Sequence, residues 1–118
     1  MSGSGPNRPV IVVASAAAGP VERAVLAGIE EEGVPFVVER VADGDAVELA
    51  RTAALRSPLG VGVGIDVSGG VCVQPEKVAD PVPELVALPT AGARTGRTLG
   101  HDAARICVGL PLKGAAGG

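Results

Sequence analysis

A chain of 118 residues has room for one domain, which would bury roughly 65% of its unfolded surface. Its net charge is −3, no two basic residues adjoin, and Phe36 is its only aromatic residue, so it has neither the basic stripe nor the stacking rings of a nucleic-acid binder. No wholly apolar stretch exceeds a few residues, too short to cross a bilayer, and Met1–Pro9 lacks the apolar core of a secretory signal.

Hydrophobic residues make up 47% of the chain, so the core has to be built from Val, Leu, Ile and Ala. The mean hydropathy of +0.39 fits an Ala/Val-rich core, or equally an apolar face completed by a partner. Residues 1–9 are rich in Gly, Ser and Pro and read as a flexible leader. Val10–Ala14 (VIVVA) is an unbroken β-branched run, the pattern of a strand buried on both faces. Small residues from Ser15 to Gly19 make a turn, and Pro20 suits the first position of a helix. Val21, Val25, Leu26 and Ile29 form that helix's apolar stripe, and Gly33 and Pro35 end it. Phe36–Val41 predicts a second strand. Asp43 or Asp45 caps a second helix that runs to about Arg56.

Leu59–Ile65 (LGVGVGI) predicts a third strand with alternating glycines, where either a helix packs very close or a ligand approaches the backbone. Gly69–Gly70 turns into a strand at Val71–Gln74, and Leu85–Leu88 is another short one. Thr90–Gly96 reads as a loop before a last helix from near Leu99 to Val108. Residues 113–118 read as a flexible tail. The order β-α-β-α-β-β-β-α predicts one α/β domain over 10–112, with three layers and a mostly parallel sheet flanked by helices.

Candidate sites are few. Gly62–Gly70 (GVGIDVSGG) looks like the phosphate-binding hairpin of actin- and Hsp70-type ATPases, but that fold needs two large lobes and the chain after Gly70 is too short for one. It reads better as a glycine-rich buried strand ending in an Asp66-initiated turn. No GxGxxG opens a helix after the first strand. His101 and Asp102 are adjacent and would diverge by about 100° on a helix, so they form no catalytic dyad, and His101 reads as a surface or loop contact. Cys72 and Cys107 have no CxxC spacing and read as reduced, buried thiols.

Glu30, Glu31 and Glu32 break a local rule. Three carboxylates in the last turn of a helix face the negative end of its dipole, each costing about 0.3–1 kcal/mol. Two readings stand: a solubilising cluster at a surface helix end, or a site for a cation or a basic partner surface. At 100° per residue Glu31 points almost opposite the Val21/Val25/Ile29 stripe, which makes it the outward-facing candidate ligand.

Three separated strings carry a resemblance: Gly28–Phe36 (GIEEEGVPF), Ser57–Asp66 (SPLGVGVGID) and Arg97–Leu112 (RTLGHDAARICVGLPL). In this order and spacing they resemble the small subunit of the diol and glycerol dehydratase-reactivating factors. More distantly, they resemble the medium subunit of the adenosylcobalamin-dependent dehydratases. The likeness spans Val10 to Leu112, with departures at His101–Asp102, where the family pattern is Asn-rich, and at Leu112. It implies a dehydratase medium-subunit-like fold and a chaperone-like role without catalysis or a cofactor held by this chain alone. It implies pairing with an Hsp70-like ATPase large subunit that carries ATP or ADP, in a hetero-oligomer. The small subunit would trade places with the dehydratase medium subunit and open the site that traps damaged cobalamin. By the same resemblance Glu31 coordinates a divalent metal, Mg or Ca, at the interface with the large subunit, with Glu30 and Glu32 beside it. The implied setting is cytoplasmic, with association to a bacterial microcompartment left open. The alternative is a shortened medium subunit of the dehydratase itself, an enzyme subunit.

Overall fold

A computed structural model describes residues 8–110, 112 and 113. Of the leader and tail predicted at 1–9 and 113–118, residues 1–7 and 114–118 lie outside the described residues. Five strands, β1 (Ile11–Ser15), β2 (Phe36–Arg40), β3 (Val61–Ile65), β4 (Val71–Pro75) and β5 (Val86–Ala87), form one sheet in the order β2-β1-β3-β4-β5. The helices are α1 (Pro20–Glu31), α2 (Ala46–Arg56) and α3 (Gly92–Val108).

The α/β class and the three layers agree with the sequence reading, but the sheet is mixed. β1 pairs in parallel with β2 and β3, whereas β3–β4 and β4–β5 are antiparallel. The helical crossovers α1 and α2 make the parallel half. The tight turn at Asp66–Gly70 is too short for a crossover and returns the chain antiparallel.

Strand alternation assigns the layers. Ile11, Val13, Val61, Val63 and Ile65 face the core shared with Val25 and Ile29 of α1 and Leu99 and Ala103 of α3. Val12 and Ala14 face the other way, onto Ala53 of α2, and Cys72 meets Ala46 and Ala50 there. The alternating glycines of β3 fall on this second face. A Cβ at Gly62 would overlap the backbone at Ala50 and Ala54, and one at Gly64 would overlap the backbone at Ala46 and Ala50. A close helix, not a ligand, is what those glycines admit. Asp45 caps α2 through the N–H of Val47.

The last helix begins at Gly92, so the loop predicted at Thr90–Gly96 is largely helical. Glycines at 92 and 96 lower helix propensity, by about 1 kcal/mol each in a helix interior, which masks the start of the helix in the sequence. Packing restores it: a Cβ at Gly100 would overlap the carbonyl of Val25, and one at Gly28 would overlap the backbone of Arg97 and His101. The backbones of α1 and α3 therefore meet directly, and that approach places the functional residues.

Candidate functional site: an acidic helix end against a cationic helix face

Arg97, His101 and Arg105 recur every four residues along α3 and so share one face. The Gly28–Gly100 crossing brings that face against the C-terminal end of α1, where Glu31 and Glu32 lie. The Arg97 guanidinium grips Glu31 with both ends of its fork, Nε to Oε1 at 3.1 Å and Nη2 to Oε2. His101 is 7% exposed and lies between two carboxylates, with Nε2 at 2.7 Å from Glu31 Oε1 and Nδ1 at 2.7 Å from Glu32 Oε2. Neutral imidazole donates from one nitrogen and imidazolium from both. Arg105 Nε donates to the same Glu32 oxygen at 2.9 Å.

These partners answer the local inconsistency in the sequence. The Arg97 guanidinium, followed by His101, holds the Glu31 carboxyl below the usual carboxylate range, against partial desolvation. His101, then Arg105, does the same for Glu32. Positive charge from α3 thus offsets the unfavourable end of the α1 dipole. Glu31 is exposed, as its orientation on α1 predicts, but its carboxylate is held by Arg97 and His101 of α3. One sequence reading changes. His101 is a buried bridge, not a surface residue. Glu30, the third acid, is exposed.

The remaining candidates resolve structurally. Asp66 accepts the N–H groups of Ser68 at 2.9 Å and Gly70 at 2.8 Å, so its carboxylate closes its own turn. Asp102 is buried and accepts the N–H of Lys113 at 2.6 Å, tying down the chain after α3. A second ionic group escaped the sequence reading: Arg40 at the end of β2 holds Glu22 of α1, which also accepts the Ser15 hydroxyl at 2.6 Å. Cys72 is buried and Cys107 half-buried, and both are free thiols.

The carboxylate of Glu31 has the hard oxygen chemistry that Mg2+ or Ca2+ takes, but both oxygens already accept N–H groups. Among the described residues, no group of three or more His, Cys, Asp or Glu side chains is arranged to hold a metal. As arranged, these residues do not form a metal site by themselves. No helix among the described residues is long and apolar enough to cross a membrane.

The family model for the dehydratase medium subunit matches residues 6–113, and the chain belongs to that family. Within it the chain resembles one functional branch. It is 33% identical over 104 residues to the propanediol dehydratase-reactivating factor small subunit of Citrobacter freundii, covering 88% of this chain and 89% of the relative. It is 35% identical to the corresponding Salmonella typhimurium subunit, over 75% of this chain and 76% of that one. A chain of a solved glycerol dehydratase reactivase superposes with a TM-score of 0.77 at 28% identity, covering 89% of this chain and 96% of its own. A chain from the diol dehydratase-reactivating factor complexed with ADP and Mg2+ gives 0.79 at 28% identity, over 92% and 99% respectively.

Proposed function

We propose that this chain is the small subunit of a diol or glycerol dehydratase-reactivating factor. The observation that carries the reading is the likeness to reactivating-factor small subunits, at 33% and 35% identity over 88% and 75% of this chain, with a fold that superposes on chains of two reactivating factors. This favours the reactivating factor over a shortened dehydratase medium subunit, although the family model bears the latter's name.

On this reading the chain works by binding and not by catalysis. It pairs with an Hsp70-like ATPase large subunit as a hetero-oligomer, and that subunit carries the ATP or ADP. Resembling the dehydratase medium subunit in shape, it offers a similar surface to a shared partner and can replace that subunit. Displacement converts binding free energy into opening of the site that holds damaged cobalamin. The nucleotide biases which partner the large subunit holds, through differential affinity of its two states. The acidic end of α1 lies at the docking face, with Glu31 as one ligand of a shared Mg2+ or Ca2+ and the other ligands coming from water and the large subunit. A cytoplasmic setting goes with this role.

The test mixes the reactivating complex with cyanocobalamin-inactivated dehydratase and nucleotide, then separates the species by native electrophoresis. Exchange predicts a band with this chain on the large dehydratase subunit, or the medium subunit on the ATPase. Cobalamin release with neither mixed species at any time would reject the exchange mechanism.

A further inference from the structure

We infer that a second copy of this chain docks on the free edge of β2, so that two subunits join antiparallel about a two-fold axis through Val38 and share one continuous sheet. β2 is the outermost strand, with β1 on one side only. The Ile11 N–H reaches the Pro35 carbonyl at 3.0 Å and the Val41 N–H reaches the Ser15 carbonyl at 3.0 Å, so the odd-numbered residues of β2 turn their backbone groups inward to β1. Phe36, Val38 and Arg40 therefore turn theirs outward, and among the described residues no hydrogen bond reaches them. Phe36, Val37 and Val38 are also only half-buried. The result is an apolar strand with open hydrogen-bonding groups, a template for another strand.

Charge complementarity of the strand and its helix names the occupant. Centred on Val38, antiparallel pairing sets Val38 against Val38 and Phe36 against Arg40 of the second copy, and it engages every outward-facing residue of β2. Val37 lies opposite Glu39 of the second copy, a carboxylate that Arg56 already holds. No like charges stand opposite one another. The α1 helix repeats the pattern. Arg23 and Glu30 are two turns apart and within about 20° of one line along the helix; both are exposed, and among the described residues neither is in an ion pair. Gly28 and Val25 of α1 meet α3, while Leu26 and Ile29 meet the sheet core. Arg23 and Glu30 therefore look away from α3 toward the β2 edge, where Glu30 lines an open cleft with Pro35 and Phe36. A two-fold axis at Val38 sets the two α1 helices antiparallel on the same side of the sheet, and brings Arg23 of each copy to Glu30 of the other.

Sedimentation equilibrium of the full chain across the micromolar range should show a monomer–dimer equilibrium. Arg23→Glu and Glu30→Arg should each weaken dimerisation about tenfold, because either reversal turns two exposed ion pairs into two repulsions. Each reversal suits the dipole of α1, so the loss would not come from a weaker helix. The Arg23→Glu/Glu30→Arg double variant should recover the wild-type dimer constant. Val38→Pro removes an outward N–H without touching the β1 ladder and should leave a monomer, with circular dichroism checking that each variant is folded. Amide exchange followed by NMR should show Phe36, Val38 and Arg40 better protected as the protein concentration rises. A chain that stays monomeric throughout, single reversals that leave the dimer constant unchanged, or a double reversal that fails to recover it would each overturn the inference. Protection of those amides only on adding the large subunit would overturn it too, because the edge would then belong to that partner.

Discussion

Each paired carboxylate ties the fold to pH. Glu22 is held below its ordinary value of 4.5 chiefly by Arg40, Glu31 by Arg97, and Glu32 by His101. A carboxylate with a depressed folded pKa contributes stability that is fully present above its unfolded value and lost as pH falls through the folded one. Stability measured by urea denaturation should therefore decline below about pH 4.5. Glu22→Gln and Glu32→Gln should each make that decline shallower, and a slope unchanged in both would show that the pairs do not hold in solution. The thiols behave oppositely. Burial pushes Cys72 and Cys107 up to about 11, so at pH 7 almost none is thiolate. A disulfide reagent should label both within seconds in urea and far more slowly in the native protein, with the fully buried Cys72 the slower. Rapid native labelling of Cys72 would contradict its burial.

Among the elements, the α1–α3 pair decides whether the site exists. Gly100→Ala would push a methyl group into the carbonyl of Val25, a backbone atom that cannot rotate aside. The expected cost is about 3 kcal/mol, read from the urea midpoint, together with loss of the Glu31–Arg97 geometry. Gly19→Ala is the control. Nothing lies within 4 Å of its Cβ and its φ of 161° is extended, so stability should change by less than about 0.5 kcal/mol. In a helix interior Ala is favoured over Gly by about 1 kcal/mol, so a loss at Gly100 reports the close crossing, and an unchanged or raised urea midpoint in Gly100→Ala would show that α1 and α3 do not approach so closely. The same crossing explains why the cationic side of the site was hidden in sequence. Arg97, His101 and Arg105 show a four-residue period only once α3 is extended back past Leu99 to include Arg97. Gly92 and Gly96 make that stretch look like a loop, until the structure shows Gly96 packed against Val21 and Val25 of α1 and Gly100 against Val25 and Gly28.

For the molecule as a whole, charge neutralisation within the site predicts what the isolated chain does with metal. With Glu31 and Glu32 already bound by Arg97, His101 and Arg105, removal of divalent cations should leave its thermal midpoint unchanged. Calorimetric titration with Mg2+ should give no saturable heat at submillimolar concentrations. A midpoint that drops in EDTA would show that this chain builds a metal site without a partner. The three-layer arrangement also accounts for a high mean hydropathy with Phe36 as the single aromatic residue. β1 and β3 are buried on both faces, and small Ala and Gly residues bring α2 within backbone contact of β3.

By itself the sequence determined the element order, the buried β-branched strands, the helix stop at Gly33, and the acidic anomaly at Glu30–Glu32. Those features depend on local periodicity, backbone freedom and the helix dipole, all of which act within a few residues. It also carried the family likeness, through strings that now lie on α1, β3 and α3. Only the tertiary structure decided where the charges go. Glu31 and Glu32 meet their cations across a separation of more than sixty residues, and no local rule links positions so far apart. The direction of the β3 glycines and the burial of His101 were settled in the same way. Whether a small residue marks a ligand or a helix, and whether a histidine is exposed or clasped, depends on which element packs over it.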